Sequence, residues 1–103
     1  MAKRLTKTSL TEMLDEGITE VSVPSRMLPS LYAYIVDGRP PGSFLEAIIT
    51  NDLHAAFALA DDENVQCLAA WTQLLYQWAP SESWGSKATM TRWIAAQQDE
   101  HED

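Results

Sequence analysis

The chain has 103 residues, with 7 Lys or Arg against 15 Asp or Glu, so its formal net charge is −8. This length is typical of a single domain, and 46% apolar with 21% charged residues is the composition of a globular chain. The acidic balance disfavours direct binding to nucleic acid or to anionic lipid. One cysteine, Cys67, excludes an internal disulfide and a thiolate metal cluster.

Charge divides the chain into three predicted parts. Basic residues are concentrated at the start and acidic residues at the end, where four acids lie in the last five positions. We predict a basic tail over residues 1–8, a helical domain over 9–97 and a disordered acidic tail over 98–103. No apolar run approaches the ~18 residues of a membrane span, and the first residues lack a signal peptide's apolar stretch. We expect a soluble intracellular protein with no membrane partner.

The first predicted helix spans Leu10–Glu16. Ser9 and Glu12 fit a capping box at its start, and Gly17 fits the position that follows a helix. Alternating apolar and polar residues over 18–23 predict an extended connector, because the chain offers no partner strand.

Three short helices are predicted between residues 24 and 60. One opens at Pro24 and Ser25, tolerates Pro29 in its first turn and ends at Gly38. The next two follow a stiff turn, with Ser43 capping one and Thr50 or Asn51 capping the other. Their ranges are 44–49 and 53–60, and Leu53, Ala56, Phe57 and Ala60 share one face of the second.

The most strongly patterned segment is a predicted helix over residues 62–78. The run Asp61-Asp62-Glu63-Asn64 suits its start, and this capping interpretation is favoured over a calcium loop, whose glycine and terminal glutamate are missing. Two apolar lines cover most of its circumference, which predicts a central position. A last helix, capped by Ser86, spans residues 87–97 with Met90, Trp93 and Ile94 inward. The predicted fold is all-α, a compact single-domain bundle of five to six short helices around the helix near 62–78.

Catalytic residues are hard to find in this sequence. His54 has no positioned partner, His101 lies in the acidic tail, and Cys67 lies on an apolar helix line. A hydrolase using His54 with Asp52 or Asp61 is the weakest alternative. We therefore predict a protein that is not an enzyme and has no cofactor or metal site.

Two helix starts offer a ligand-binding alternative. Free N–H groups after Gly42-Ser43 and after Gly85-Ser86 could bind the phosphate of a nucleotide, with Trp84 or a tyrosine stacking on the base and Arg39 or Arg92 supplying charge. The interpretation of both as simple helix caps is favoured, because serine caps are common. Tryptophans left partly exposed are common anchors for protein partners, so Trp84 and Trp93 are candidate partner-binding residues.

Several blocks of the sequence resemble those of a known group of proteins. They are the run from Tyr34 to Leu45 containing Pro-Pro-Gly-Ser-Phe-Leu, then Asn51-Asp52-Leu53, Ala60-Asp61, Asn64, Tyr76, Ala79-Pro80, Trp84-Gly85-Ser86 and Trp93. Over about residues 24–96 the chain resembles small uncharacterised helical proteins of tailed bacteriophages and prophages. The resemblance implies a bacterial cytoplasm and a phage-related role, and it supplies no catalytic residues.

The leading functional hypothesis is an interaction protein. Such a domain would bind, and in one form inhibit, a host or phage protein through exposed aromatic and acidic residues. In its extreme form the protein would be a DNA mimic, whose carboxylates occupy a basic nucleic-acid cleft. This form is disfavoured, because the chain without its last five residues has a net charge of only −4. The alternative is a nucleotide-binding protein using Ser43 and Ser86. The partner and the oligomeric state stay open.

Overall fold

The computed structural model describes residues 6–101, with side chains for residues 6–99. Helices account for all of the regular structure in this range. The predicted all-α, single-domain class is confirmed, with seven α-helices in this range in place of five to six. They are α1 Lys7–Glu20, α2 Leu28–Asp37, α3 Ser43–Ile49, α4 Leu53–Leu59, α5 Asp62–Gln66, α6 Leu68–Trp78 and α7 Lys87–His101. Single 3₁₀ turns at Ser25–Met27 and Ser81–Ser83 precede α2 and α7.

The start of α1 lies three residues before the predicted one. Thr6 is the N-cap, and its Oγ1 accepts a hydrogen bond of 3.0 Å from the Ser9 N–H. The prediction that Ser9 caps this helix is therefore wrong, because Thr6 offers the same chemistry one turn earlier. The predicted basic tail is shortened accordingly, and its residues 1–5 lie outside the described range.

Gly17 lies inside α1 and does not end it. A Cβ atom at this position would lie 2.7 Å from both Leu74 Cδ1 and Trp78 Cγ, so only glycine lets α1 approach α6 this closely. The helix continues to Glu20, and the predicted extended connector over 18–23 shrinks to residues after Val21. Packing against α6 thus outweighs the glycine's usual tendency to terminate a helix.

The ends of α2, α3 and α4 are close to the predicted ones. Gly38 adopts the left-handed φ of 70° that ends α2, and the predicted break near residue 51 is present. The caps differ, since Gly42 and not Ser43 is the N-cap of α3. Asp52, not Thr50 or Asn51, caps α4, where its Oδ1 accepts a 3.1 Å hydrogen bond from the Ala55 N–H.

The single helix predicted over 62–78 is divided at Cys67 into α5 and α6. Asn64, buried in α5, accepts a 3.0 Å hydrogen bond through its Oδ1 from the indole N–H of Trp71, which is fully buried. α6 packs against α1, α3 and α5, as its central position requires. It is not covered on most of its circumference, however, because Thr72 and Tyr76 are exposed.

α7 begins after Ser86 as predicted, and Ser86 Oγ accepts a 3.1 Å hydrogen bond from the Thr89 N–H. It continues to His101, beyond the predicted end at residue 97. Buried Gln97 donates its Nε2 to the carbonyls of Ile35 (3.2 Å) and Val36 (3.1 Å), which lie in the last turn of α2. The part of the predicted acidic tail over 98–101 is therefore helical, and residues 102–103 lie outside the described range. None of the helices between residues 6 and 101 has the length and apolar character needed to cross a membrane.

Replacing Gly17 by alanine is expected to destabilise the protein. The new methyl group would collide with Leu74 and Trp78, which costs about 1–3 kcal/mol, while the gain in helix propensity offsets up to about 1 kcal/mol. Urea unfolding should show a net loss of about 1–2 kcal/mol. Gly42→Ala is the matched control, since nothing lies within 4 Å of a Cβ there, and it should change stability by less than about 0.5 kcal/mol. Equal effects of the two substitutions would contradict the close approach.

Candidate functional site

α4 exposes its large apolar side chains and buries a small one. Leu53 is 68% exposed, Phe57 64% and Leu59 52%, whereas Ala56 is buried. The predicted shared face of Leu53, Ala56, Phe57 and Ala60 is therefore not a buried face. Residues advance by about 100° along a helix, so Leu53 and Phe57 lie on one side of Ala56 and Leu59 lies on the other.

Leu53 and Ala56 of α4 form one wall of a shallow depression that we call the α4–α6 groove, and Phe57 lies outside it, beside Leu53 and His54. Leu68 and Thr72 of α6 form the opposite wall, and Tyr76 follows them on α6 at the same i, i+4 spacing without lining the groove. Ile48 lies at its floor, where a depression of about 50 Å³ is shared by α3, α4 and α6. The groove therefore brings exposed Leu53 of α4 and half-buried Leu68 of α6 to one depression.

Tyr76 of α6, which lies outside the groove, is exposed to 72%. Its ring meets the half-buried ring of Trp84 edge-on, with the centroids 6.0 Å apart. The half-buried Trp84 ring thus packs on the folded domain and contacts the Tyr76 ring. The indole N–H of Trp84 is buried and has no hydrogen-bond partner among the described residues.

One carboxylate lines the groove, and the segment of sequence that forms it is acidic. Between residues 40 and 86 the sequence has six Asp or Glu and no Lys or Arg. Asp52 lines the groove at the start of α4, and the acids of α5 follow two residues after its end. Arg26, from the 3₁₀ turn before α2, contacts Asp61 and Glu63. The hydrogen bond from the Asn64 N–H and then the contact with Arg26 hold the pKa of Asp61 below its ordinary value.

The residues of the predicted nucleotide site are not brought together. The Gly85 N–H donates to the Ile49 carbonyl at 2.7 Å, so Trp84, Gly85 and Ser86 lie at the C-terminal end of α3. Gly42 and Ser43 lie at its other end, about 9 Å away along a helix of seven residues.

The cleft beside Gly42 and Ser43 is acidic. It has a volume of about 400 Å³, and its lining includes the carboxylates of Glu46 and Asp52 but neither Arg39 nor any other Lys or Arg. Carboxylates facing the cleft would repel a phosphate. The nucleotide hypothesis stays a prediction without a positive feature in this geometry.

Trp93 is also half-buried, and its indole N–H donates to the Ile35 carbonyl at 3.1 Å. The structure thus gives both candidate tryptophans packing contacts, and their role in partner binding stays a prediction.

Sequence reasoning missed the more exposed Leu53, Phe57 and Tyr76. One signal was available, because the apolar side chains of α4 lie too widely around a seven-residue helix for all of them to be buried.

The residues considered for catalysis do not converge. His54 is exposed beside Leu53 and Phe57, Asp52 is engaged as a helix cap, and Asp61 caps α5 by accepting a 2.8 Å hydrogen bond from the Asn64 N–H. The capping interpretation of the acidic run is confirmed. Among the side chains of residues 6–99, no three His, Cys, Asp or Glu groups cluster as metal ligands would.

Comparisons with protein families, with curated proteins and with solved structures find no match to this chain.

A thermal-shift screen tests the nucleotide hypothesis. ATP, GTP and cyclic dinucleotides at millimolar concentration are expected to leave the Tm unchanged, because the cleft at Ser43 presents carboxylates to a phosphate. A rise that saturates with ligand and is lost in Ser43→Ala or Ser86→Ala would contradict this expectation.

The exposed side chains of α4 are expected to contribute little to stability. Phe57→Ser should change the free energy of unfolding by less than about 0.5 kcal/mol, because the ring is in solvent and the two residues have similar helix propensity. Phe44→Ala is the contrasting variant, since this ring is buried against Trp71, and it should cost about 3–5 kcal/mol. A large loss in Phe57→Ser would mean that α4 needs this ring for folding.

Proposed function

We propose that this chain is a non-enzymatic interaction protein that binds another protein through exposed aromatic and acidic residues. The observation that carries the proposal is the exposure of large apolar side chains on α4 and α6, where Leu53, Phe57 and Tyr76 are each about two-thirds exposed. Contiguous apolar side chains rimmed by polar groups commonly mark a protein-binding surface. The resemblance to phage and prophage proteins supports a host or phage protein in a bacterial cytoplasm as the partner.

Two further observations support this proposal. Aromatic side chains are the usual energetic centres of protein interfaces, and Phe57 and Tyr76 are exposed, with Trp84 packed against the tyrosine. Three of the four exposed large apolar side chains among the described residues belong to the short helix α4, and the fourth is Tyr76 of α6. Carboxylates around the apolar groups would direct the orientation and the encounter rate of a partner.

Affinity capture tests the proposal directly. The protein is immobilised and exposed to a bacterial lysate, and the retained proteins are identified by mass spectrometry. We expect at least one protein to be retained by the wild type and lost, by a factor of about ten or more, with the double variant Phe57→Ser/Tyr76→Ser.

Gln77→Ser is the matched control, because Gln77 is exposed on α6 and lies about 100° or more around the helix from Tyr76, Thr72 and Leu68. It should retain the same proteins as the wild type. Capture that is identical with the wild type and the double variant would refute Phe57 and Tyr76 as binding residues. Trp93 is unsuitable for this test, since its loss would remove a hydrogen bond to Ile35.

A further inference from the structure

We propose that α4 and α5 form a strap, residues 52–66, that opens as one unit while the other helices stay packed. We call this segment the α4–α5 strap. Its opening exposes the sides of α3 and α6 that it covers in the closed structure. The inference is independent of the proposed function, because it concerns how the strap is anchored and not what binds to it.

The α4–α5 strap is anchored by little apolar burial. Its buried side chains are Ala56 and Asn64, and those that it half-buries are Ala55, Ala60 and Val65. Between residues 6 and 99, each of the other α-helices buries at least one large apolar side chain. Segments with few buried apolar contacts open at a lower free energy than the core does. The strap is therefore the segment that should open first.

Both ends of the α4–α5 strap are breaks in the helical path. Asn51 has a left-handed φ of 65° between α3 and α4, and Cys67, with φ −107° and ψ 13°, lies between α5 and α6. No continuous helix therefore connects the strap to either neighbour, and it can open without breaking the hydrogen bonds inside α3 or α6. Helices as short as α4 and α5 are not stable by themselves, so the strap loses its helical structure when its contacts are lost.

Polar contacts hold the strap at α5. The Asn64 Oδ1 accepts a 3.0 Å hydrogen bond from the indole N–H of Trp71, and Arg26 contacts Asp61 and Glu63. The three charged side chains are each half or more exposed, so water competes with their ion pairs. Only the bond from Trp71 is buried, which leaves the strap with one strong polar contact.

The closed strap covers apolar parts of its neighbours. Ala56 of α4 lines the α4–α6 groove together with Ile48 of α3 and Leu68 of α6. Ile48 and Leu68 are half-buried and pack against the core. When the strap opens, these two side chains and the indole N–H of Trp71 lose the cover that α4 and α5 provide. The open state thus presents a different apolar surface from the closed one.

Limited proteolysis with chymotrypsin tests the inference, because the strap and α6 present aromatic rings of similar exposure. Phe57 is 64% exposed and Tyr76 is 72% exposed, and chymotrypsin cleaves after either type of residue. A helix must unfold locally to be cleaved, so exposure of the ring is not sufficient. Initial rates of cleavage of the intact chain are measured by mass spectrometry. We expect cleavage after Phe57 to be at least about ten-fold faster than cleavage after Tyr76.

Amide hydrogen exchange provides a second measurement that needs no cleavage. We expect the amides of 56–59 and 65–66 to exchange at least about ten-fold faster, relative to unfolded-chain rates, than those of 72–78. Exchange in the strap should also be insensitive to urea below the unfolding transition, because a local opening exposes little surface.

A pair of charge variants tests the contact at Arg26. Arg26→Ala should raise the rate of cleavage after Phe57 by about two- to five-fold, because the strap loses its ion pairs. Lys7→Ala is the matched control, since it removes an exposed ion pair with Asp37 outside the strap and changes the net charge equally. It should leave this rate unchanged.

A pair of alanine variants tests the apolar anchor. Ala56→Gly removes the buried methyl group of α4 and lowers helix propensity, so it should raise the rate of cleavage after Phe57 by about five-fold or more. Ala95→Gly is the matched control, because Ala95 is exposed within α7. It should leave this rate unchanged.

Gly17→Ala distinguishes opening of the strap from global unfolding. This variant weakens the contact between α1 and α6, which lies outside the strap. Cleavage after Phe57 should therefore proceed at the wild-type rate although the protein as a whole is less stable.

Three results would overturn the inference. They are cleavage after Tyr76 as fast as after Phe57, equal amide protection in the strap and in α6, and cleavage after Phe57 that accelerates in Gly17→Ala. None of them bears on the capture of proteins from lysate, which decides the proposed function separately.

Discussion

The burial of Trp71 is the constraint on which the rest of this fold depends. Its ring meets Phe44 of α3 edge-on, with the centroids 6.2 Å apart, and its indole N–H is satisfied by Asn64 of α5. A buried N–H needs an acceptor, and Asn64 supplies it from across the break at Cys67. One side chain thus connects α3, α5 and α6, and the position of α5 places the acids at its start beside the end of α4.

Close helix contacts complete the core and explain the exposed surface. α1 reaches α6 through Gly17, and α7 provides the Gln97 amide as a donor to the carbonyls of Ile35 and Val36 in the last turn of α2. α4 rests on the body through Ala56, a side chain too small to hold the helix away. Its larger apolar groups therefore extend past the contact into solvent. The α4–α6 groove is a consequence of which residue of α4 faces inward.

Charge and exposure combine at this surface. The chain places its basic residues outside positions 40–86, so α3 to α6 contain acids and no Lys or Arg. Arg26 and Lys87 contact three of these acids from other parts of the chain. The half-buried Trp84 and Trp93 belong to the support of this architecture, through contacts to Tyr76 and Ile35.

The sequence by itself determined the features whose causes are local. The end of α2 at Gly38, the cap at Ser86, the break near Asn51 and the all-α class all follow from residue types within one turn of the feature. Local signals misplaced Gly17 as a helix end, treated 62–78 as one helix and ended the last helix near 97. In each case the deciding contact comes from a residue on the neighbouring helix.

Only the tertiary structure decided the candidate site. Leu53, Phe57 and Tyr76 have the side chains of core residues, and their spacing on their own helices does not reveal whether a neighbour covers them. Their exposure depends on Ala56 facing the body from α4 and on the side of α6 that Tyr76 occupies. The acidic composition could be read from the residues alone, whereas the position of Asp52 beside Leu53 and Leu68 depends on how α3, α4 and α6 pack together.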